Sequence, residues 1–356
     1  MPSIASVASV ASNDRFLRAC RRERADRTPV WFMRQAGRSQ PEYRALRERY
    51  SLPEIVRNPD LGAEVALRPV AELGVDAAVL FADIMLPLRS MGVEFELRDG
   101  GPVIEQPIRS SADLDRLRPF EVDDTTAAVL QTIRLIRRAS PVPLIGFSGA
   151  PFTLASYLIE GGPSRDYLVT KALMHHAPAV WAHLMELLTD MVIRYLRAQV
   201  ASGVHAVQLF DSWVGCLGAA DYTQYVAPST RAIVEALRPA GAPIIHFGTG
   251  TAGLLPEMAA AGGEVIGVDW RVSLAQAWAR IGHDRGIQGN LDPAVLLAPR
   301  EVVRQRTLEI LCDADGRPGH IFNLGHGVLP QTPRDQLRYV VDLVHEYTDR
   351  GAEASR

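Results

Sequence analysis

The amino-acid sequence predicts a single-domain (β/α)8 barrel of the TIM type, on three observations. Eight short apolar, β-branched runs recur along the chain, at 30–33, 76–81, 144–147, 204–210, 243–247, 264–268, 286–288 and 320–323. Between them lie stretches with apolar residues at i, i+3 and i+4, such as 179–200 and 302–311, the pattern of amphipathic helices. This alternation gives a parallel sheet covered by helices. Finally, no low-complexity linker or internal repeat interrupts the chain after residue 12. Eight unbroken units favour a closed barrel over an open doubly wound sheet. Residues 14–356 are therefore expected as one catalytic domain, and 1–13 as a flexible start.

Composition narrows the partners. Apolar residues at 47% and charged residues at 22% exclude disorder and fibrous repeats. Lys and Arg total 38 against 41 Asp and Glu, a net charge of −3, so the basic excess of a nucleic-acid binder is missing. Cys20, Cys216 and Cys312 lie far apart without a CxxC, which points to a reducing compartment and away from a structural zinc site. No apolar stretch approaches the ~20 residues that span a bilayer. Residues 1–12 carry no basic segment of the kind a signal peptide needs. A soluble cytoplasmic protein, with neither membrane nor nucleic acid as partner, is expected.

In this fold the active-site cleft opens at the C-terminal ends of the strands. Arg34-Gln35-Ala36-Gly37-Arg38 follows the first run. Two guanidiniums four residues apart around a glycine can grip one anion with planar bidentate forks, and N–H groups near Gly37 can join them. The pair is expected to be buried between Trp31 and Pro41. Arg47, about two turns further if 41–50 is helical, can extend the patch. The ligand implied is a carboxylate or a phosphate. Asp83 follows the second run. A lone carboxylate at an apolar mouth is desolvated and depends on a cationic partner, whereas an ordinary Asp there would cap a helix.

After the third run, the turn at 148–151 opens a short helix on which the Tyr157 hydroxyl can face the cavity; a core tyrosine is the plain alternative. Asp211-Ser212 follows the fourth. No Gly-x-Ser-x-Gly elbow surrounds Ser212, so it reads as a hydrogen-bond donor to a ligand rather than a nucleophile. Gly248-Thr-Gly-Thr-Ala-Gly253, with Asp269 about twenty residues on, fits the dinucleotide fingerprint. Four barrel-like units precede it, however, and a turn or phosphate loop at a barrel mouth is the better reading. His326 stands between two glycines at the last strand end, where glycines let a ligand approach closely. His175-His176 precede Pro178 and point to different helix faces, so they are read as structural, and no metal site is expected.

Pro29-Val-Trp-Phe-Met-Arg-Gln-Ala-Gly-Arg38, followed by Pro41-Glu-Tyr43, resembles the N-terminal signature of the uroporphyrinogen decarboxylase family. Gly146-Phe-Ser-Gly-Ala-Pro-Phe-Thr-Leu, with Tyr157 and Glu160-Gly161, resembles its second signature. Phe81-Ala-Asp83, Gln208-Leu-Phe-Asp-Ser212, Val268-Asp-Trp270, Gln288-Gly-Asn-Leu-Asp-Pro293 and Asn323-Leu-Gly-His-Gly327 fit in order. The resemblance runs from about residue 14 to the C-terminal helix. It implies a cofactor-free (β/α)8 enzyme of haem biosynthesis, commonly a homodimer. Such an enzyme removes carbon dioxide from four acetate side chains of uroporphyrinogen III, giving coproporphyrinogen III. It also implies that Asp83 is catalytic, accepting from pyrrole N–H groups and stabilising the charge that develops. Arg34 and Arg38 would hold carboxylates, one helping to deliver a proton. Gln35, Ala36, Gly37, Arg47, Tyr157, Ser212 and His326 would complete the substrate-binding set.

The residues suit that chemistry. A substrate with eight carboxylates calls for a focused guanidinium cluster on an otherwise near-neutral protein. Loss of carbon dioxide from a pyrrole acetate leaves a carbanion, and the pyrrole, protonated at a ring carbon, is the electron sink. A desolvated carboxylate would stabilise that cation. The proton donor stays open, because a guanidinium with a pKa above ~12 is a poor acid and a protonated carboxyl or water are alternatives. Two other classes are considered. A zinc- or corrinoid-type barrel methyltransferase holds zinc with His and Cys, but here His246 is followed by Phe-Gly with no Cys nearby. A non-catalytic tetrapyrrole-binding protein would want the arginines and have no use for Asp83.

Overall fold

Seven parallel strands lie side by side in the computed structural model, which describes residues 13–98 and 101–349. In chain order the strands are β1 (Ala78–Val79), β2 (Glu96–Arg98), β3 (Gly101–Val103), β4 (Leu144–Gly149), β5 (Ala206–Asp211), β6 (Ile244–Gly248), β7 (Val265–Gly267), β8 (Gly286–Leu291) and β9 (His320–Leu324). The parallel sheet runs β1-β4-β5-β6-β7-β8-β9, with β2 and β3 forming a separate antiparallel hairpin. Each neighbour in the main sheet is the next of its strands in the chain, and helices carry the crossovers, among them Pro178–Ser202 and Arg300–Ala314. The sheet is curled. Gln288 of β8 donates to Gln208 of β5 at 3.0 Å across the concave interior, although two strands separate them, and Trp31 Nε1 donates to Gln288 at 3.0 Å.

Six of the eight expected runs are strands, buried on both faces as parallel strands are. The first two differ. Residues 30–33 form no strand; Val30 makes one parallel bridge to Phe322 of β9, supported by Trp31 N to Phe322 O at 3.3 Å and Phe322 N to Pro29 O at 2.9 Å. On its other side Val30 O accepts from Asp76 N at 2.7 Å. The ladder stops there because side chains capture the next donors: Gln35 Oε1 accepts from Phe32 N and Asn323 Oδ1 from Met33 N. The 76–81 run pairs only over Ala78–Val79. The hairpin β2–β3 is an addition that no apolar run announces.

Asp76 ties the ends of the described chain together. Its side chain is 1% exposed; Oδ1 accepts from Asn13 and Arg15, and Oδ2 accepts from Val30 N and lies 2.7 Å from His345 Nε2 on the helix Arg334–Tyr347. Burial opposes ionisation of Asp76, but the bonds from His345, Asn13 and Val30 N–H outweigh it and hold its pKa below the ordinary carboxylate value. Asn13, the end of the expected flexible start, is thus anchored. The rest of that start lies outside the described residues.

Candidate active site

The loop after Val30 turns sharply at Arg34, whose φ of 61° is in the left-handed region. A non-glycine residue held there costs roughly 1–2 kcal/mol. Gln35 fixes the turn from inside: it is wholly buried, accepts from Phe32 N and donates to Ala77 O at 3.0 Å. Ala36 is buried as well. Gly37 passes so close that a β-carbon there would lie 3.3 Å from Arg34 O. The guanidiniums are not buried between Trp31 and Pro41. Trp31 is wholly buried and bonds Gln288 in the interior, whereas Arg34, beyond the bend, and Arg38 are both exposed. Arg47 is also exposed, on the helix Pro41–Arg49, where its charge and that of Arg38 act on the buried Tyr43 phenol. Tyr43 in turn meets Phe81 edge-on at 5.4 Å, which joins this helix to the segment leading to Asp83.

Asp83 is half-buried, and its Oδ1 accepts from Met85 N at 2.9 Å in the turn that opens the helix Pro87–Ser90. It caps that turn. Desolvation raises its pKa, with the Met85 N–H and the charge of Arg34 pulling the other way. Tyr157, on the helix Pro151–Glu160, is almost wholly buried and edge-on to Trp213 at 6.0 Å. Burial raises its phenol pKa; Trp213 lowers it, Asp83 raises it and Arg34 lowers it. His326 is half-buried. Burial and then Arg34 depress its imidazole to about 4, with Asp269 opposing and Arg271 adding to the effect. His326 is therefore neutral at pH 7. The charge of Arg34 acts on Asp83, Tyr157 and His326 alike.

Ser212 follows β5, half-buried, with its carbonyl accepting the Thr249 hydroxyl. The turn it shares with Trp213 is held from behind: Thr153 Oγ1 accepts from Trp213 N at 3.3 Å and donates to buried Asp211 at 3.1 Å. Phe147, Phe210 and Phe247 form a chain of edge-to-face rings over β4, β5 and β6, with centroids 5.5 and 5.8 Å apart. Sequence reasoning missed Thr153 and this aromatic row, although three aromatics near the ends of successive apolar runs were a signal for the latter. Both glycines beside His326 press on the protein itself. A β-carbon on Gly325 would lie 2.7 Å from Trp270 N, and one on Gly327 would lie 2.5 Å from Arg34 Cδ.

The remaining motifs have local duties. Asp269 accepts from Gly250 N at 2.6 Å, so the acid that would meet a ribose in a dinucleotide fold binds the glycine loop instead. His175 and His176 are exposed, the former 3.9 Å from Asp221 and the latter bonded to Ala172 O. Among the described residues no three His, Cys, Asp or Glu side chains are grouped as metal ligands, and no helix is long and apolar enough to cross a membrane.

Comparison with known proteins adds a family. The model of the family described as uroporphyrinogen decarboxylase (URO-D) matches residues 11–347. A uroporphyrinogen decarboxylase of Sorangium cellulosum is 56% identical over 336 residues, covering 94% of this chain and 96% of its own. One of Thermus thermophilus is 56% identical over 335 residues, covering 94% of this chain and 98% of its own. Among solved structures, a methyltransferase from Methanosarcina mazei superposes with a TM-score of 0.74 at 21% identity, over 94% of this chain and 98% of its own. At that identity the likeness concerns the fold alone.

Proposed function

The chain belongs to the uroporphyrinogen decarboxylase family, and from that premise we propose that it is a carboxy-lyase converting the four acetate side chains of uroporphyrinogen III to methyls, with release of carbon dioxide and coproporphyrinogen III. The observation that carries this reading to the site is Asp83, a desolvated carboxylate on which the charge of Arg34 acts and whose charge in turn acts on Tyr157. Protonation at the ring carbon next to the acetate-bearing one makes the pyrrole a cation. The electron pair of the bond to the carboxylate then flows into the ring, carbon dioxide leaves, and an exocyclic methylene remains. A proton on that methylene gives the methyl group, and loss of the added ring proton restores the pyrrole. Each round consumes one proton. Asp83 accepts from the pyrrole N–H groups and stabilises the cation, the stronger for its dry surroundings. Arg34 and Arg38 grip carboxylates, and Tyr157, Ser212 and the neutral His326 offer hydrogen bonds.

The same reading takes the curled sheet as a (β/α)8 barrel in one domain. Residues 29–31 close it, a view supported by their bonds to β9 and to Asp76. It also places the enzyme in the cytoplasm as a homodimer; Leu168, 68% exposed beside Val169, supports an apolar contact with a second copy. The test is anaerobic incubation with uroporphyrinogen III and a chelator, followed by mass. Stepwise loss of four carbon dioxides is expected, and an unchanged octacarboxylate overturns the proposal.

A further inference from the structure

The segment after β7 ends in two exposed side chains that the assignment above leaves unused. Trp270 is 36% exposed, high for an indole. The Arg271 guanidinium lies over its ring, 4.4 Å from the centroid. This is not a loose surface cation. Its Nη1 bonds the buried carboxylate of Asp269, which also accepts from Gly250 N and Arg271 N. On the other side Gly325 lies against Trp270 as Gly327 lies against Arg34; a β-carbon at 325 would be 2.9 Å from the indole. The turn Gly325-His326-Gly327 is thus wedged between Trp270 and Arg34, and the charges of Arg34 and Arg271 both reach His326.

An arginine with one donor pinned and its plane stacked keeps its other N–H groups free and loses little freedom when it binds. A ring-shaped substrate with acids around its whole edge needs cations on more than one wall, and Arg34 and Arg38 come from a single loop. We propose that Trp270 and Arg271 form a second carboxylate-binding station on the rim, across His326 from Arg34, which holds one acid side chain of the substrate. The inference rests on the decarboxylase reading.

Kinetics with uroporphyrinogen III test it. If the unmodified enzyme turns this substrate over, the decarboxylase reading stands whatever the variants do; if it does not, that reading fails first. Arg271→Gln is expected to raise KM about tenfold, as loss of one charged contact does, with kcat within about twofold. Arg271→Lys should recover part of the loss, since the charge returns without the fork. A KM within twofold of the unmodified enzyme in Arg271→Gln overturns the inference. So does a fall in kcat at unchanged KM, the mark of an arginine that merely clamps Asp269. Should Arg271→Gln unfold, Trp270→Leu removes the stack and leaves the Asp269 pair. It is expected to raise KM about threefold, as loss of an exposed cation–π contact does, and an unchanged KM there is equally decisive against.

Discussion

Arg34 and Gly327 touch. A β-carbon on Gly327 would stand 2.5 Å from Arg34 Cδ and 2.8 Å from its Cγ, so only glycine leaves room for the stem of that guanidinium. Val328 N donates to Met33 O at 2.8 Å just beside them, so the two segments cannot separate to relieve a clash.

Gly327→Ala should therefore act on function more than on stability. The crowded atoms belong to a flexible, exposed side chain, which swings aside at little cost to the fold. Tm is expected to fall by no more than a few degrees while KM for uroporphyrinogen rises about tenfold, the worth of one charged contact. Calorimetry and steady-state kinetics check the pair of outcomes.

Asp83→Asn separates cap from catalyst. The amide keeps the acceptor for Met85 N, and Asn caps nearly as well as Asp. The raised pKa of Asp83 fixes the sign of the stability effect: the native state prefers the neutral form, so ionisation costs stability as pH rises through the native pKa. The variant should be at least as stable as the unmodified protein at pH 7. Its kcat and kcat/KM should fall together by about 10²–10³-fold, as for other preorganised electrostatic groups. More than a third of the original kcat in a folded variant removes Asp83 from the chemistry.

Arg34→Gly trades strain for function. Glycine adopts φ near 61° freely, so relief of the left-handed conformation offsets the extra entropy of the unfolded chain. An unchanged or higher Tm is expected, with kcat/KM reduced by about a hundredfold if the guanidinium grips a substrate carboxylate with both of its prongs. A Tm lowered by several degrees counts against the strain.

Three histidines make the fold acid-sensitive. His205, His320 and His326 all have imidazoles depressed to about 4, burial being the main cause in each. Unfolded, they titrate near 6.5. The stability they contribute is complete above about pH 6.5 and is lost as pH falls toward about 4, because only the unfolded chain takes up the protons. Calorimetry in buffers of different ionisation enthalpy should find an uptake approaching three protons on unfolding near pH 5, beyond that of the carboxylates. For the same reason the rate should show no step near pH 6.5 from His326.

The strands at 144–149, 206–211 and 320–324 were legible because a strand covered on both faces must be apolar throughout. The run at 30–33 looked the same, yet it forms only a bridge, because Gln35 and Asn323 take its backbone donors and no local pattern reveals such partners. Arg34, Asp83, Tyr157 and His326 were singled out by their position after the strands, and the charge of Arg34 acts on the other three. Burial of the arginines was not legible: apolar neighbours in sequence say nothing of direction once the backbone bends at a positive φ. Thr153 and Arg271 escaped notice because what marks them is a remote partner, Trp213 N for one and the Asp269–Gly250 clamp for the other.

The bridge between Val30 and Phe322 also sets a timetable for the newborn chain. At roughly 5–20 residues per second, the ribosome delivers Phe322 on the order of 15–60 s after Val30. Until then the segment that carries Arg34 is held on one side only, through Val30 to Asp76 and Gln35 to Ala77. Asp76 waits longer still for His345. A chain cut short anywhere before its last helix leaves Asp76 with Arg15, Asn13 and Val30 N–H but without His345, so premature termination near the end should cost stability at a carboxylate 269 residues away.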